Sequence, residues 1–309
     1  MRKSVPAIVT ENLVKRFGDL TAVDGLTIEV RPGELFAFLG PNGAGKTTTI
    51  HMLCTLLRPT AGSARVAGHD CVKEAWAVRR AIGLVFQEST LDKDLTAYEN
   101  LWFACCLQDL TSRVATERIA EILRLFELTD RKDHMTKHLS GGLRRRLDIA
   151  RGVLHRPRIL FLDEPTVGLD PQARRQIWQF LDTLRRQEET TLFVTTHYLE
   201  EAETCDRVGI IDHGRLIALD TPEELKQVFK GDVVQIRSDR LNELARAIRE
   251  EFQLSPQVTD RGLLLEVTDG EAFLPMLIRS FGDQIAGINI QRPSLNEVFL
   301  HLTGREFKP

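Results

Sequence analysis

Residues Gly40-Pro41-Asn42-Gly43-Ala44-Gly45-Lys46-Thr47 have the types and spacing of a phosphate-binding loop, G-x-x-x-x-G-K-[ST]. Glycines let backbone N–H groups turn toward phosphate oxygens, and a helix N-terminus adds partial positive charge. Lys46 is placed to reach β- and γ-phosphates. The Thr47 hydroxyl is placed for Mg2+, and Thr48 follows directly in the same turn. The flanks suit this chemistry. Leu35–Leu39 is an apolar run of strand length, and Ile50, Leu53 and Leu57 recur at helical spacing after the loop. A plain glycine-rich turn would leave a buried lysine without a purpose.

Two further stretches carry candidate chemistry. Arg158-Ile159-Leu160-Phe161-Leu162-Asp163-Glu164-Pro165 is an apolar strand that ends in adjacent carboxylates. The carboxyl edge of an α/β sheet is where such folds bind ligands. There Asp163 suits a Mg2+ shell, and Glu164 suits a general base that polarises an attacking water. Leu139-Ser140-Gly141-Gly142 opens a helical run through Leu143, Leu147, Ala150 and Leu154. Exposed N–H groups and the Ser140 hydroxyl make this a second anion site by the same logic. Taken alone, the first of these also reads as a solvated strand end and the second as an ordinary N-cap.

The elements that must position these groups alternate. Strand-like runs lie at Ile8–Val9, Thr27–Val30, Leu35–Leu39, Ile82–Phe86, Ile159–Leu162, Thr191–Thr195 and Val208–Ile211. Turn signals such as Arg31-Pro32-Gly33 and His213-Gly214 separate them. Ile119, Ile122, Leu123 and Phe126 keep helical spacing, and Thr96 with Glu99 forms a capping-box pattern. Residues 88 to about 157 therefore read as a helical insert within an α/β core. A second unit starts near Gly231. Strand Val233–Arg237, a helix face of Leu241, Leu244, Ala245 and Ile248, strands Gln257–Asp260 and Leu263–Val267, helix Ala272–Phe281 and strand Gly287–Gln291 give β-α-β-β-α-β. Ser294 and Glu297 cap a last helix through Leu302. The expected organisation is an α/β P-loop core over 1–230 and a small ferredoxin-like α+β domain over 231–309.

The 309 residues carry a net charge of −3, which excludes a global nucleic-acid signature. No stretch approaches the apolar length of a membrane span, and residues 1–15 have no signal-peptide core. Five cysteines, an odd count with no C-x-x-C pair, read as buried or inert thiols rather than a zinc site.

The order and spacing of the three motifs resemble the ATP-binding cassette ATPases over roughly residues 5–225. That resemblance implies further roles, residue by residue. Phe17, in Lys15-Arg16-Phe17-Gly18, would stack on adenine. Gln87 would sense Mg2+ and face a membrane subunit. Asp170, in Gly168-Leu169-Asp170, would belong to the loop between sites, and His197 would contact the γ-phosphate. It also implies ATP and Mg2+ as cofactors, an integral membrane permease subunit as partner, and a second ATPase subunit. Each ATP would lie head-to-tail between one chain's phosphate loop and the other's Ser140-Gly141-Gly142. The place of work would be the cytoplasmic face of the membrane. Two positions depart from the pattern: Leu143 stands for the usual glutamine, and Val167 for a frequent serine. The ending Pro293-Ser294-Leu295-Asn296-Glu297-Val298-Phe299 resembles daunorubicin-resistance-type export ATPases. The function implied is export of a drug-like or other hydrophobic compound. An importer ATPase and a non-transport nucleotide-dependent regulator remain the alternatives.

Overall fold

The computed structural model describes residues 5–228, 231–259, 262–291, 294–304 and 307. The expected strand end at Asp260, Pro293 of the C-terminal motif, and the outer ends of both expected domains lie outside these residues. The chain divides into two compact units at Leu219 and Asp220. This is earlier than the boundary expected near Gly231. The reason is a short helix, Pro222–Lys226, which packs on the last helix, Leu295–Thr303, and so joins the second unit.

In the first unit β1 (Ile8–Phe17) and β2 (Leu20–Val30) pair antiparallel, and β3 (Leu35–Leu39) leads through the glycine loop into α1 (Lys46–Leu53). Next come β4 (Ala61–Val66), β5 (His69–Asp70), α2 (Ala75–Ala81) and β6 (Ile82–Val85). The helical insert holds α3 (Ala97–Leu107), α4 (Ser112–Leu125) and α5 (Gly141–Gly152). The unit closes with β7 (Ile159–Asp163), α6 (Pro171–Glu188), β8 (Thr191–Thr196), α7 (Leu199–Ala202), β9 (Arg207–Asp212) and β10 (Arg215–Asp220).

One sheet has the order β10-β9-β3-β8-β7-β6, and β9, β3, β8, β7 and β6 run parallel. β3 and β7 are buried at every residue, as a parallel sheet covered on both faces requires. Phe193 fixes its centre, with Phe36 at 5.3 Å and Phe161 at 5.5 Å between ring centroids. Register matters most for function. Leu39 pairs with Thr196, Asp163 with Thr195, and Val85 with Leu162. The carboxyl ends of four strands are therefore level, and the loops after them share one edge. A second sheet, β2-β1-β4-β5, packs its apolar side into the same core.

The expected strands are present, several of them longer than expected, but β4, β5 and β10 were not expected. β1 runs ten residues rather than two, with shifts of register between Thr10 and Leu13 and a left-handed Asn12. In the insert, the capping box at Thr96 and Glu99 is present, and Ile119, Ile122, Leu123 and Phe126 are buried.

The second unit contains α8 (Pro222–Lys226), β11 (Asp232–Arg237), α9 (Leu241–Phe252), β12 (Gln257–Thr259), β13 (Gly262–Val267), α10 (Gly270–Phe281), β14 (Gly287–Gln291) and α11 (Leu295–Thr303). Its elements follow the β-α-β-β-α-β succession read from the sequence, and its strands pair antiparallel in the order β12-β13-β11-β14. Val234, Ile236, Leu244, Ile248, Leu277 and Phe281 belong to its own apolar core. Ser294 and Glu297 form the expected capping box on α11.

Candidate active site

The loop between β3 and α1 is tight because two of its glycines, Gly40 and Gly45, admit no side chain where the chain crosses its neighbours. A Cβ on Gly40 would stand 2.4 Å from the Ile211 carbonyl oxygen. Gly45 has φ of 105° and would meet the Ala22 carbonyl oxygen at 2.4 Å. Lys46 begins α1 and folds back across the loop. Its Nζ donates to the carbonyl oxygens of Gly40 at 2.8 Å and Pro41 at 3.1 Å. It also lies 3.1 Å from Glu164 Oε1, and both side chains are buried.

Glu164 is the hub of the edge. Gln87 Nε2 donates to its Oε2 at 3.2 Å. His197 Nδ1 lies 3.1 Å from the same oxygen without hydrogen-bond geometry, so this buried nitrogen has no hydrogen-bond partner among the described residues. The Glu164 backbone is left-handed, with φ of 44°, a conformation that a non-glycine residue holds only when its surroundings impose it. Its N–H donates to Thr195 Oγ1 at 2.9 Å, and that hydroxyl donates to Asp163 Oδ1 at 2.5 Å. The level strand ends thus bring together Lys46, Gln87, Asp163, Glu164 and His197, residues separated by up to 151 positions.

The other expected residues stand apart from this cluster. Ser140 is the N-cap of α5, where its Oγ accepts from Leu143 N at 3.3 Å. Ser140 and Gly141 are exposed. A Cβ on Gly142 would sit 3.1 Å from Ala173 Cβ, and one on Gly141 would sit 3.9 Å from Leu169 Cδ2, so this helix start lies against the Gly168–Asp170 segment of its own chain. Asp170 caps α6, accepting from Gln172 N at 3.0 Å and Ala173 N at 2.9 Å. Phe17 ends β1, is 48% exposed, and has Lys15 Nζ 5.0 Å from its ring centroid. It pairs with Leu20, two residues before the Ala22 that touches Gly45.

Sequence reasoning missed three supporting residues. Thr195 carries the bridge between Asp163 and the Glu164 backbone. Buried Glu201 accepts from Thr196 Oγ1 at 2.7 Å and from Thr166 Oγ1, tying the segment after β7 to the residue before His197. Arg145 is buried behind Asp163 and Glu164. Thr195 had a visible signal, a hydroxyl at a strand end level with Asp163. The other two had none.

Among the described residues no group of three or more His, Cys, Asp and Glu side chains could hold a metal by itself. The side chains expected to hold a metal are instead the Asp163 carboxylate, the Thr47 hydroxyl and the Gln87 amide. That hard-oxygen set fits Mg2+, which keeps several waters and is held through one or two carboxylates together with substrate phosphates.

The chain is similar to known proteins along nearly its whole length. The ABC transporter family model matches residues 23–167. A model of the C-terminal domain of DrrA1-3-like ATP-binding proteins matches residues 221–303. The daunorubicin resistance ATP-binding protein DrrA3 of Streptomyces coeruleorubidus is 43% identical over 304 residues, covering 96% of this chain and 96% of its own. The linearmycin resistance ATP-binding protein LnrL of Bacillus subtilis (strain 168) is 37% identical over 309 residues, covering 96% and 98%. Among solved structures, cbiO1 from Clostridium perfringens, part of the ABC transporter complex cbiONQ, aligns with a TM-score of 0.67 at 26% identity, over 80% of this chain and 96% of that one. The ATP-binding cassette MJ0796, in a dimeric post-hydrolysis state bound to ADP and Pi, aligns with a TM-score of 0.63 at 27% identity, over 69% and 98%. With such identity along nearly its whole length, the chain belongs to the ATP-binding proteins of the ABC transporter family and is an ATPase of the daunorubicin-resistance type.

Proposed function

We propose that the chain is the ATP-hydrolysing subunit of an exporter, working on the cytoplasmic face of the membrane with a separate permease that moves a drug-like or other hydrophobic compound. The observation that carries this reading is the convergence of Lys46, Gln87 and His197 on the Glu164 carboxylate. Phosphate oxygens entering the loop would take over the Lys46 ammonium from Glu164 and the Gly40 and Pro41 carbonyls. Glu164, released, accepts a proton from the attacking water. His197 Nδ1, unpartnered and beside it, meets the γ-phosphate. Asp163, Thr47 and Gln87 would hold Mg2+, which neutralises charge on the phosphates. Phe17 stacks on the adenine. The loop residues Gly40 to Thr48 supply N–H and hydroxyl donors.

Ser140, Gly141 and Gly142 face the nucleotide of a second, identical copy, so that two ATP molecules close the dimer and hydrolysis reopens it. A ligand shifts such an equilibrium only by binding one state better, and phosphates bridging two chains do so. Asp170 sits where the two sites meet.

The names of the relatives, daunorubicin and linearmycin resistance, support export over import. No described helix is long and apolar enough to cross a membrane, and in this reading a separate permease supplies the path. A groove of about 390 Å³ beside Phe86, the residue before Gln87, suits a permease segment. Its lining includes Leu56, Phe103 and Leu107, all more than half exposed. The purified chain, alone or with its permease, should release phosphate from ATP when Mg2+ is present and not in excess EDTA. Absence of release under every condition would remove the hydrolytic role.

A further inference from the structure

Arg145 lies in the run Arg144-Arg145-Arg146 of α5, five residues after Ser140. Such a run ordinarily faces water, yet Arg145 is only 7% exposed. Its guanidinium spans the carboxyl ends of two neighbouring strands. Nη1 donates to the carbonyl oxygens of Phe86 at 2.6 Å and Gln87 at 3.4 Å. Nη2 donates to those of Asp163 at 3.2 Å and Glu164 at 3.3 Å, and Nε to that of Pro165 at 2.6 Å. A guanidinium has five N–H donors in a fixed fork, and every one of them here ends on a main-chain carbonyl. Those carbonyls belong to the two segments that carry Gln87, Asp163 and Glu164. A second arginine of the same helix, Arg151, donates to the Thr90 carbonyl at 2.8 Å and also bonds the Thr90 hydroxyl. The segment after β6 is therefore held at both ends by α5.

We propose that Arg145 is a positioning residue of the ATPase. By binding carbonyls on both strands it sets the spacing between the Gln87 side chain and the Asp163–Glu164 pair. It also holds Glu164 in its left-handed conformation, from which the carboxylate reaches Lys46 and His197. Lysine keeps the charge, but a compact ammonium cannot span both strands. Glutamine keeps neither charge nor reach. The rival view is that Arg145 is one more buried arginine that stabilises the fold. Arg118 provides the control. It is 5% exposed and also binds main-chain carbonyls, those of Val153 and Leu154 just past the end of α5, both at 3.1 Å. It touches neither segment that carries the site.

The test compares Arg145→Gln, Arg145→Lys and Arg118→Gln for thermal midpoint, affinity for a fluorescent ATP analogue, kcat, and the Mg2+ concentration at half-maximal rate. Arg145→Gln should lose about 100-fold in kcat, the cost of displacing a catalytic group by about 1 Å. Its Mg2+ requirement should rise, while its nucleotide affinity stays near that of the unaltered chain because the Lys46 loop is untouched. Arg145→Lys should fall between the two. Arg118→Gln should lower the thermal midpoint as much, with kcat of the folded protein retained. If Arg145→Gln fails to fold, Arg145→Lys decides. Reduced kcat with normal affinity upholds the proposal, and normal kcat overturns it. Equal kcat losses in the Arg145 and Arg118 variants also overturn it. The inference rests on Glu164 as base, so Glu164→Gln is run alongside. Turnover retained there removes that assignment. Turnover lost there, with normal Arg145 variants, removes the positioning role alone.

Discussion

The first unit contains two glycine-rich helix starts, and they are built differently. At α1 the N-cap Gly45 has no side-chain cap, and the chain supplies its own cation, Lys46, from within the loop. A buried carboxylate lies opposite, and the strand ends close round it. At α5 the N-cap Ser140 accepts a single long bond from Leu143, and neither lysine nor carboxylate of the site approaches it. It is exposed beside another exposed segment, Gly168–Asp170. Under the proposed function the first is a phosphate cradle that one chain completes. The second is exposed, and in the same reading it is half of a site shared between two copies. Burial, rather than glycine content, separates the two starts, and in the proposed dimer it separates a site one chain completes from one that needs another.

The largest effect should come from the completed cradle. Glu164→Gln nearly preserves shape but removes the proton acceptor, and turnover should fall by about 10²–10⁴-fold. ATP binding should persist, with the variant eluting as a dimer in ATP. Turnover like that of the unaltered chain would place the base elsewhere.

Next comes a contrast between the two starts. Lys46→Ala should weaken nucleotide binding, because it removes the charge nearest the β- and γ-phosphates. Ser140→Arg should leave binding to the isolated chain intact and still lower turnover by about 10²-fold, the scale of losing a donor aimed at developing charge. Equal binding defects in both would erase the distinction. Phe17→Ala should weaken ATP and GTP alike, by roughly three- to tenfold, as loss of a stacking contact would. Selective loss of one nucleotide would show recognition of a ring edge instead. The smallest effect is on stability. Ser140→Ala removes a long cap bond and should cost about 0.5–1 kcal/mol in chemical denaturation, the low end for an N-cap. A larger loss would make Ser140 a structural residue first.

Much of this site was legible in the sequence because two of its motifs, the glycine loop and the Asp163–Glu164 pair, end fully buried strands. Five consecutive apolar residues at Leu35–Leu39 and four at Ile159–Leu162 announce parallel strands, and the residue after each run must sit at the sheet edge. Level register then follows from the fold. The second sheet was poorly legible. Ala61-Gly62-Ser63-Ala64-Arg65-Val66 has no apolar run, and only Ala64 and Val66 are buried. β1 breaks its alternation where its register shifts. Arg145 was invisible for another reason. Three successive arginines on a helix read as a solvated face, yet Arg145 and Arg146 are both buried, and only the tertiary placement of two strand ends turns Arg145 toward the site. The domain boundary moved because α8 is amphipathic over a single turn, too short to reveal which unit it joins.

The most direct test of the shared site is a disulfide crosslink. In a Cys106→Ser, Glu164→Gln background, which removes the one exposed cysteine, cysteines are placed at Ser140 of one copy and Gly43 of the other. Mild oxidation should yield a covalent dimer when ATP is present and only monomer without it. If the yield does not depend on ATP, the two glycine-rich helix starts do not share a nucleotide between copies.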